Sequence, residues 1–207
     1  MHDPFDQLVQ IFKQFPGIGI RQAKRFVYFI LQQDQIFIDR MILGLQNTRQ
    51  HIHLCQESFQ FFADQDPNAT LSPIVRDASR TKSQLMIMIK DLDLENIERT
   101  NAYQGQYFVL GNLVPMIATD VEKFVRINEL ETLINQRAQN NGLQEIIFST
   151  PTNPEGEHTR AYVLGRIQPL IDQFNLKTTT LGRGLSTGTE LEYIDPDTFR
   201  NALTGRN

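Results

Sequence analysis

The sequence predicts an α/β protein in which a helical N-terminal domain precedes a mostly parallel sheet. Short continuous apolar runs at residues 85–89, 106–110 and 145–150 indicate buried strands. Segments with helical periodicity separate these runs, and strands that alternate with helices typically form a parallel sheet covered on both faces. The first 53 residues show only helical periodicity. We therefore expect two architectures in one chain.

Two helices, predicted at residues 5–14 and 20–33, flank the segment PGIG at 16–19. Glycine adopts left-handed backbone conformations at little steric cost, so we expect Gly17 and Gly19 to have positive φ and to leave peptide N–H groups bare. These groups lie at the N-terminus of the second helix, where the helix dipole favours an anion. The segment therefore predicts a helical hairpin with an anion-binding turn.

Three cations, Arg21, Lys24 and Arg25, fall within the first turn and a half of the second helix. An exposed helix N-terminus with three cations suits a phosphate, and a nucleic-acid backbone is a row of phosphates. The pattern resembles a helix-hairpin-helix, a module that grips DNA by its backbone without reading bases. An ordinary αα-hairpin whose glycines end the first helix is the alternative.

The net charge of −4 argues against binding nucleic acid through a generally basic surface. Residues 1–50 hold six Lys/Arg and four Asp/Glu, whereas the remainder holds 14 basic and 20 acidic residues. A local basic face at one end is compatible with contacts to a DNA backbone. We expect weak, salt-sensitive DNA binding, or binding that needs several subunits.

The composition, with 40% hydrophobic and 21% charged residues, is typical of a globular protein. The single cysteine, Cys55, excludes an internal disulfide and fits a reducing cytoplasm. No apolar run approaches the roughly 18–20 residues of a membrane helix, and the N-terminus lacks a signal-peptide core. We expect a cytoplasmic protein without a membrane partner.

A third helix, predicted at 35–53, completes an N-terminal DNA-binding domain of residues 1–53. Its apolar side carries Phe37, Met41, Ile42, Leu45 and Ile52. Residues 54–84 have no sustained period and form a loop-rich insert. A sheet domain at 85–181 follows, and then a C-terminal segment at 182–207 that we assign to oligomerisation.

The remaining elements are predicted in chain order from periodicity and capping residues. The predicted strands lie at 85–89, 106–110, 145–150, 176–181 and, at an edge, 190–194, and the predicted helices at 93–100, 127–142, 155–174 and 196–204. We expect Asp93 and Asp195 to be N-caps, Gly142 to end a helix and Pro169 to bend one.

A zinc site with paired Cys-x-x-Cys ligands would be the natural way to hold the insert together. Cys55 is instead followed at that distance by Ser58, and no second pair exists. His51 and His53 lie too close to Cys55 to complete a cage without a distal ligand. We therefore predict no zinc and expect an apolar plug in its place. The plug would consist of Phe59, Phe61 and Phe62.

The loop at 150–159, after the third strand, carries Glu155 and Glu157 at a helix start. Ligands of open α/β sheets gather at the carboxyl ends of strands, and two carboxylates could hold Mg²⁺ through water. Helix capping is the favoured alternative, because acids stabilise a first turn by themselves. A metal site would also need an acid at the end of the first strand, where Ile89 and Lys90 stand.

The glycine-rich segment GRGLSTG at 182–188 could cradle a phosphate through its N–H groups, with Arg183 as counter-charge. It lacks the Lys-Ser/Thr ending of a Walker loop. A wide turn between strands is the alternative.

Motifs appear in a specific order along nearly the whole chain. They are FPGIGIRQAKRF, a Cys-bearing insert, IERTNAYQGQYFVL, TPTNPEGEHTRAY and GLSTGTELEYIDPDTFRNALTGR. Their order over about residues 5–206 resembles the RecR family of bacterial recombination mediators. The resemblance implies a helix-hairpin-helix domain, a zinc-finger insert, a Toprim domain and a C-terminal segment. It also implies a ring of several subunits around duplex DNA, which acts with RecO and RecF to load RecA at gaps and breaks.

The resemblance also assigns roles to single residues. In the family the hairpin cations face DNA, and the corresponding positions here are Arg21 and Arg25, with Lys24 as a neighbour. Together with the turn glycines Gly17 and Gly19 they are the DNA-binding residues we predict. Glu155 and Glu157 correspond to the Toprim glutamates, on a surface associated with partner contact more than with catalysis.

The sequence departs from the family pattern at two sites. The four zinc cysteines fall on Cys55, Ser58 and positions near Leu71 and Ile74, and the first Toprim acid falls on Ile89. We therefore expect no cofactor, no catalytic residue and no enzymatic activity.

The partners we expect are double-stranded or gapped DNA and RecO-like and RecF-like repair proteins. We also expect a homo-oligomer, either a dimer or a tetrameric ring. A Mg²⁺-dependent Toprim nuclease or topoisomerase-like enzyme, and a scaffold that has lost DNA binding, are the alternatives.

Overall fold

The computed structural model describes residues 3–117, 120–140 and 142–181. These residues divide into two compact units, one ending at residue 52 but including 65–67, the other formed by 53–64 and the described residues from 68 onward. The features predicted at 182–188, 190–194 and 196–204, and the proposed oligomerisation segment as a whole, lie outside the described residues. No described helix is both long and apolar enough to span a bilayer.

Three helices form the first unit, and all three were predicted to within two residues at each end. They are α1 (Pro4–Lys13), α2 (Ile20–Leu31) and α3 (Gln35–His51). Aspartates cap two of them: Asp3 accepts the Phe5 N–H at 3.0 Å, and Asp34 accepts the Phe37 N–H at 2.8 Å. Helix α1 packs on α2 around a small buried core formed by Val9, Ala23 and Val27.

Helix α3 buries none of its residues. Five large apolar residues along it are exposed, including Ile36 at 66% and Leu45 at 64%. Met41 and Ile42, which the sequence places on the apolar side, are two of the five. Phe37 makes an edge-on ring contact with Phe29, with the centroids 5.8 Å apart. The periodicity correctly predicted a helix, but its apolar side is not part of the core of this unit.

The insert contains two paired short strands and one short helix: β1 (Ile52–Leu54), β2 (Phe61–Ala63) and α4 (Pro73–Arg76). The predicted single plug of three phenylalanines is wrong. Phe62 is buried against His53, Phe61 is 58% exposed, and Phe59 packs edge-on against Phe108 of the main sheet. Phe61 and Phe62 separate because neighbouring residues of the short strand β2 point to opposite faces. Phe59 precedes this strand and has a left-handed backbone with a φ of +55°.

Four parallel strands form the main sheet in the order β4–β3–β5–β6, which confirms the predicted α/β fold class. The strands are β3 (Gln84–Met88), β4 (Gln106–Val109), β5 (Glu145–Ser149) and β6 (Lys177–Thr180). In the central strand β3, Met86 lies beside Tyr107 on one side and Ile147 on the other. The apolar runs predicted these strands because central parallel strands are buried on both faces.

Helices connect the strands, and the predicted helices after residue 90 that fall within the described residues are confirmed. They are α5 (Asp91–Thr100), α6 (Ile127–Asn140) and α7 (Pro154–Phe174), with a 3₁₀ turn at Val121–Lys123. Asp93 is not the N-cap of α5, because the helix begins two residues earlier and Asp93 lies in its first turn. Gly142 has a φ of +68°, the left-handed conformation expected of a glycine that ends a helix.

The sheet carries a separate apolar core on each face. Alternate β3 residues Leu85 and Ile87 join Phe108 and the buried residues of α6 and α7 in the larger core. Met86, Met88 and Tyr107 point to the other face and pack with Leu94 of α5. The connection after β3 leads to β4 on one side, and the next leads to β5 on the other. The order of strand addition therefore changes sides between the parallel strands β3 and β5. Open α/β sheets bind ligands at such a switch point.

Candidate nucleic-acid interface

The turn of the helical hairpin is built from one left-handed glycine and one extended glycine. Gly17 has a φ of +75°, as expected, whereas Gly19 has φ −82° and ψ 169°. The prediction that both glycines have positive φ is therefore wrong for Gly19. An extended conformation is the usual one for an N-cap residue, and Gly19 fills that position at the start of α2.

The N-terminus of α2 has no side-chain cap. Glycine at the cap position provides no oxygen for the first N–H groups of the helix, in contrast to Asp3 and Asp34 at the other two helices of this unit. The first turn of α2 also contains no acidic residue that would neutralise the helix dipole. An anion approaching this end would meet peptide N–H groups and the positive pole of a 12-residue helix.

Arg21, Lys24 and Arg25 are exposed at this end of α2. Within the part of the chain that the structure describes, none of the three forms an ion pair with a carboxylate. The Arg25 guanidinium lies 3.4 Å from the Gln22 side-chain oxygen, which is a long and neutral contact. The structure therefore brings together the three cations and two glycines predicted from sequence, and leaves the charges available to a ligand.

Neither glycine of the turn is needed for close packing within the protein. A Cβ atom added to Gly17 or Gly19 would meet nothing within 4 Å. Gly17 is explained by its left-handed backbone, which disfavours other residues. Gly19 has a backbone that any residue adopts, so the fold of this unit does not require glycine at that position. A ligand backbone lying close to the first N–H groups of α2 would require glycine there, because a Cβ would obstruct it.

The loop after β5 is held by its own capping interactions. The Asn153 side chain accepts the Gly156 N–H at 2.8 Å and caps α7. A Cβ on Gly156 would lie 2.0 Å from the Pro151 carbonyl oxygen, so this position requires glycine. Glu155 is exposed, and Glu157 forms an ion pair with Arg160 at 2.9 Å. These contacts agree with the capping interpretation of the two glutamates.

The carboxyl end of β3, beside the loop after β5, has no free carboxylate among the described residues that could bind a cation. Ile89 is buried at the tip of β3 and Lys90 is exposed. The Asp91 carboxylate accepts the Phe61 N–H at 2.7 Å, so it is already engaged by the insert. Among the described residues no group of three or more His, Cys, Asp or Glu side chains could hold a metal ion. The donor set at this edge therefore does not fit Mg²⁺.

Sequence reasoning missed the polar contacts that position these loops. Thr159 is buried, donates to the Glu155 carbonyl at 2.8 Å and accepts the Val114 N–H at 2.9 Å. The Arg126 guanidinium donates to the Val109 carbonyl at 2.9 Å and lies over the Phe59 ring. The bond between Thr159 and Glu155 is local, since these residues are four positions apart in α7. The other partners lie 17 to 67 residues apart along the chain, where no local pattern could have revealed them.

The chain is similar to proteins named recombination protein RecR from several bacteria. It is 32% identical to the one from Chloroflexus aggregans over 204 residues, which covers 98% of this chain and 93% of that protein. The identity is also 32% to the one from Endomicrobium trichonymphae, with 98% and 96% covered. The protein from Mycobacterium leprae is 30% identical over 203 residues, with 98% and 96% covered. No protein-family model matches the chain.

Proposed function

The chain belongs to the RecR family, and from this premise we propose that it is a non-enzymatic, DNA-binding mediator of recombinational DNA repair. In this proposal it assembles on double-stranded or gapped DNA and acts with RecO-like and RecF-like proteins to help load RecA. The observation that supports DNA binding most directly is the N-terminus of α2, which has no side-chain cap and carries three exposed cations. None of these cations forms an ion pair with a carboxylate among residues 3–117, 120–140 and 142–181.

The hairpin would bind DNA through its backbone and not through its bases. One phosphate would dock against the N–H groups after Gly19, where the dipole and the absence of a Cβ favour a close approach. Arg21, Lys24 and Arg25 would contact the same phosphate or its neighbours along the strand. Such contacts carry no sequence information, so we expect binding to differ with DNA structure and salt but little with sequence.

Self-association would complete the DNA-binding assembly. Three cations on one subunit give few phosphate contacts, and the protein as a whole is acidic. The exposed apolar side of α3, with Ile36, Met41, Ile42, Leu43 and Leu45, is the kind of surface that packs against another protein. We propose that it packs against a second copy of this chain, which would bring two hairpins to one DNA molecule.

Partner contact is the role we propose for the loop after β5. Glu155 is exposed, and neither it nor Glu157 is part of a cation site in the described structure. In this proposal the helix-hairpin-helix domain binds the DNA backbone, and the Toprim-like sheet domain binds other proteins. A Glu155→Lys variant should lose affinity for a RecO-like partner while keeping its affinity for DNA.

Light scattering after size-exclusion chromatography, with and without a gapped duplex, tests the assembly. We expect a single oligomer whose mass is a small multiple of 23.9 kDa and which remains bound to a closed circular duplex in salt that removes it from linear DNA. A Leu45→Asp variant should form smaller species. A monomer at all concentrations with no retention on circular DNA would contradict the proposal.

The enzymatic alternative makes a different prediction. A Toprim-type nuclease would nick supercoiled DNA in the presence of Mg²⁺ and would lose that activity on Glu155→Gln substitution. We expect no nicking, because the acids that such chemistry requires are replaced by Ile89 and Lys90 at the strand end.

A further inference from the structure

The insert contains two short turns with the same internal hydrogen bond. The Cys55 sulfur accepts the N–H of Ser58 at 3.5 Å, and the Ser72 hydroxyl oxygen accepts the N–H of Val75 at 3.3 Å. In each turn the side chain of the first residue binds the amide three positions later. The spacing, 55 with 58 and 72 with 75, is that of two Cys-x-x-Cys pairs of a four-ligand zinc site.

The two turns are joined at the Cys55 sulfur. The Ser72 N–H donates to this sulfur at 3.4 Å, so one atom receives amides from both turns. A backbone hydrogen bond from Gln56 to the Thr70 carbonyl, 2.9 Å long, runs beside it. Cys55, Ser58 and Ser72 have no exposed surface. In the pattern of two Cys-x-x-Cys pairs, Ser72 therefore takes the place of the third ligand and Val75 that of the fourth. Both lie one residue later than the positions near Leu71 and Ile74 expected from sequence.

The side chains at these positions do not fit zinc. Structural zinc sites use four thiolate or imidazole ligands, and here one thiol is accompanied by two hydroxyls and an isopropyl group. His53 is engaged in a ring contact with Phe62, with the centroids 5.7 Å apart. The described residues contain no group of three or more His, Cys, Asp or Glu side chains that could hold a metal ion at Cys55.

We propose that the insert keeps the backbone of a four-ligand zinc site and closes it with hydrogen bonds to the Cys55 sulfur, so that it folds without metal. The sulfur takes the place of the ion as the common partner of both turns. Burial raises the pKa of the Cys55 thiol, but hydrogen bonds from Ser58, Ser72 and Glu57 lower it by more. The amides of both turns therefore stabilise negative charge on the sulfur.

Contacts outside the motif then fix the closed insert to the sheet. The Ser58 carbonyl accepts the Val109 N–H at 2.8 Å, directly after the first turn. Glu57 forms an ion pair with Arg137 of α6 at 3.1 Å, and this arginine is only 3% exposed. Arg80 pairs with Glu98 of α5 just beyond the second turn. Each turn therefore has its own attachment, and neither attachment depends on a metal ion.

Metal content and thermal unfolding of the full-length protein give the first test. We expect no stoichiometric zinc by elemental analysis and the same Tm with or without added zinc or a chelator. Cys55→Ala should lower the Tm by about 4–8 °C, because it removes the acceptor of two buried amides. Near one zinc per chain, or an unchanged Tm in Cys55→Ala, would overturn the proposal.

Restoring the ligands gives the second test. The triple variant Ser58→Cys/Ser72→Cys/Val75→Cys should bind one zinc per chain, and its Tm should rise with zinc and fall with a chelator. Adding Cys55→Ala to it should weaken zinc binding at least about tenfold. A triple variant with a native circular dichroism spectrum and no zinc binding would contradict the preserved backbone. If the triple variant does not fold, the wild-type measurements decide by themselves.

Discussion

The Glu98 carboxylate accepts a hydrogen bond from the Tyr107 hydroxyl at 2.5 Å, which joins helix α5 to strand β4. Its other oxygen pairs with Arg80, whose guanidinium also lies over the Tyr107 ring. Burial, and then the neighbouring Glu98, raise the pKa of Tyr107, so its hydroxyl keeps its proton and remains a donor. One carboxylate therefore connects the insert, a helix and the sheet.

Tyr107→Phe should lower the free energy of unfolding by about 1.5–3 kcal/mol, the usual range for a hydrogen bond to a charged group. Urea unfolding followed by circular dichroism measures this. The matched control is Tyr28→Phe: Tyr28 is exposed and its ring contacts Phe5, so the expected change is below about 0.5 kcal/mol. Equal stabilities of the two variants would show that the Glu98 contact contributes little.

Two glycines of helix α7 should respond to alanine in opposite directions. A Cβ on Gly156 would lie 2.0 Å from the Pro151 carbonyl oxygen, whereas a Cβ on Gly165 would meet nothing within 4 Å. Gly156→Ala should therefore destabilise the protein by about 1–3 kcal/mol through overpacking. Gly165→Ala should stabilise it by about 0.5–1 kcal/mol through helix propensity. Thermal unfolding checks both, and a stable Gly156→Ala protein would mean that the loop at 150–159 is not packed as described.

The two glycines of the hairpin should separate folding from DNA binding. Gly17→Ala forces a left-handed backbone on alanine and should cost about 1–2 kcal/mol of stability. Gly19→Ala should lower the free energy of unfolding by less than about 1 kcal/mol. It should nevertheless weaken DNA binding several-fold, because the new Cβ would lie beside the N–H groups that we propose bind a phosphate. Melting curves and fluorescence anisotropy give the two readouts. Unchanged affinity in a folded Gly19→Ala protein would remove the argument for a close phosphate at α2.

Acid should weaken one contact within the sheet. Hydrogen bonds from Gln84 and Thr179, and the nearby Lys177, lower the pKa of Glu145. A carboxyl whose pKa is lowered by folding adds stability above its unfolded pKa of about 4.3 and loses it as the pH falls through the folded value. Wild type should therefore exceed Glu145→Gln in stability at pH 7, and the difference should shrink towards pH 3. A difference independent of pH would contradict this assignment.

The sequence was most informative where local pattern determines structure. Continuous apolar runs predicted β3, β4 and β5, and the first two of these strands are almost fully buried. The edge strand β6, with the sequence KTTT, is mostly exposed and was predicted from the alternation of strands with helices. Periodicity predicted the three N-terminal helices, and the turn chemistry located the hairpin. The same periodicity did not predict that Leu45 is exposed, since an apolar side indicates a contact surface as readily as part of a core.

The rest depends on contacts between distant residues. Arg137 and Glu57 are 80 residues apart, and nothing near either residue predicts their ion pair. The extended backbone of Gly19 was missed because glycine tolerates both signs of φ. The hydrogen bond from the Ser72 N–H to the Cys55 sulfur, which replaces Leu71 by Ser72 as the third motif position, is visible only in the structure. The sequence pattern thus located the candidate site at the N-terminus of α2. The structure added the backbone conformation of its two glycines and the exposure of its cations.

Binding of a fluorescent duplex by the Arg21→Glu/Arg25→Glu variant, measured by anisotropy across a salt series, tests the central claim most directly. The matched control is Lys82→Glu/Arg99→Glu, which makes the same change in net charge with two exposed cations of the other unit. We predict that the hairpin variant loses duplex binding at low salt and that the control keeps its affinity and its salt slope, about 0.9 for each phosphate contacted. Equal affinity of the hairpin variant and wild type would contradict the account.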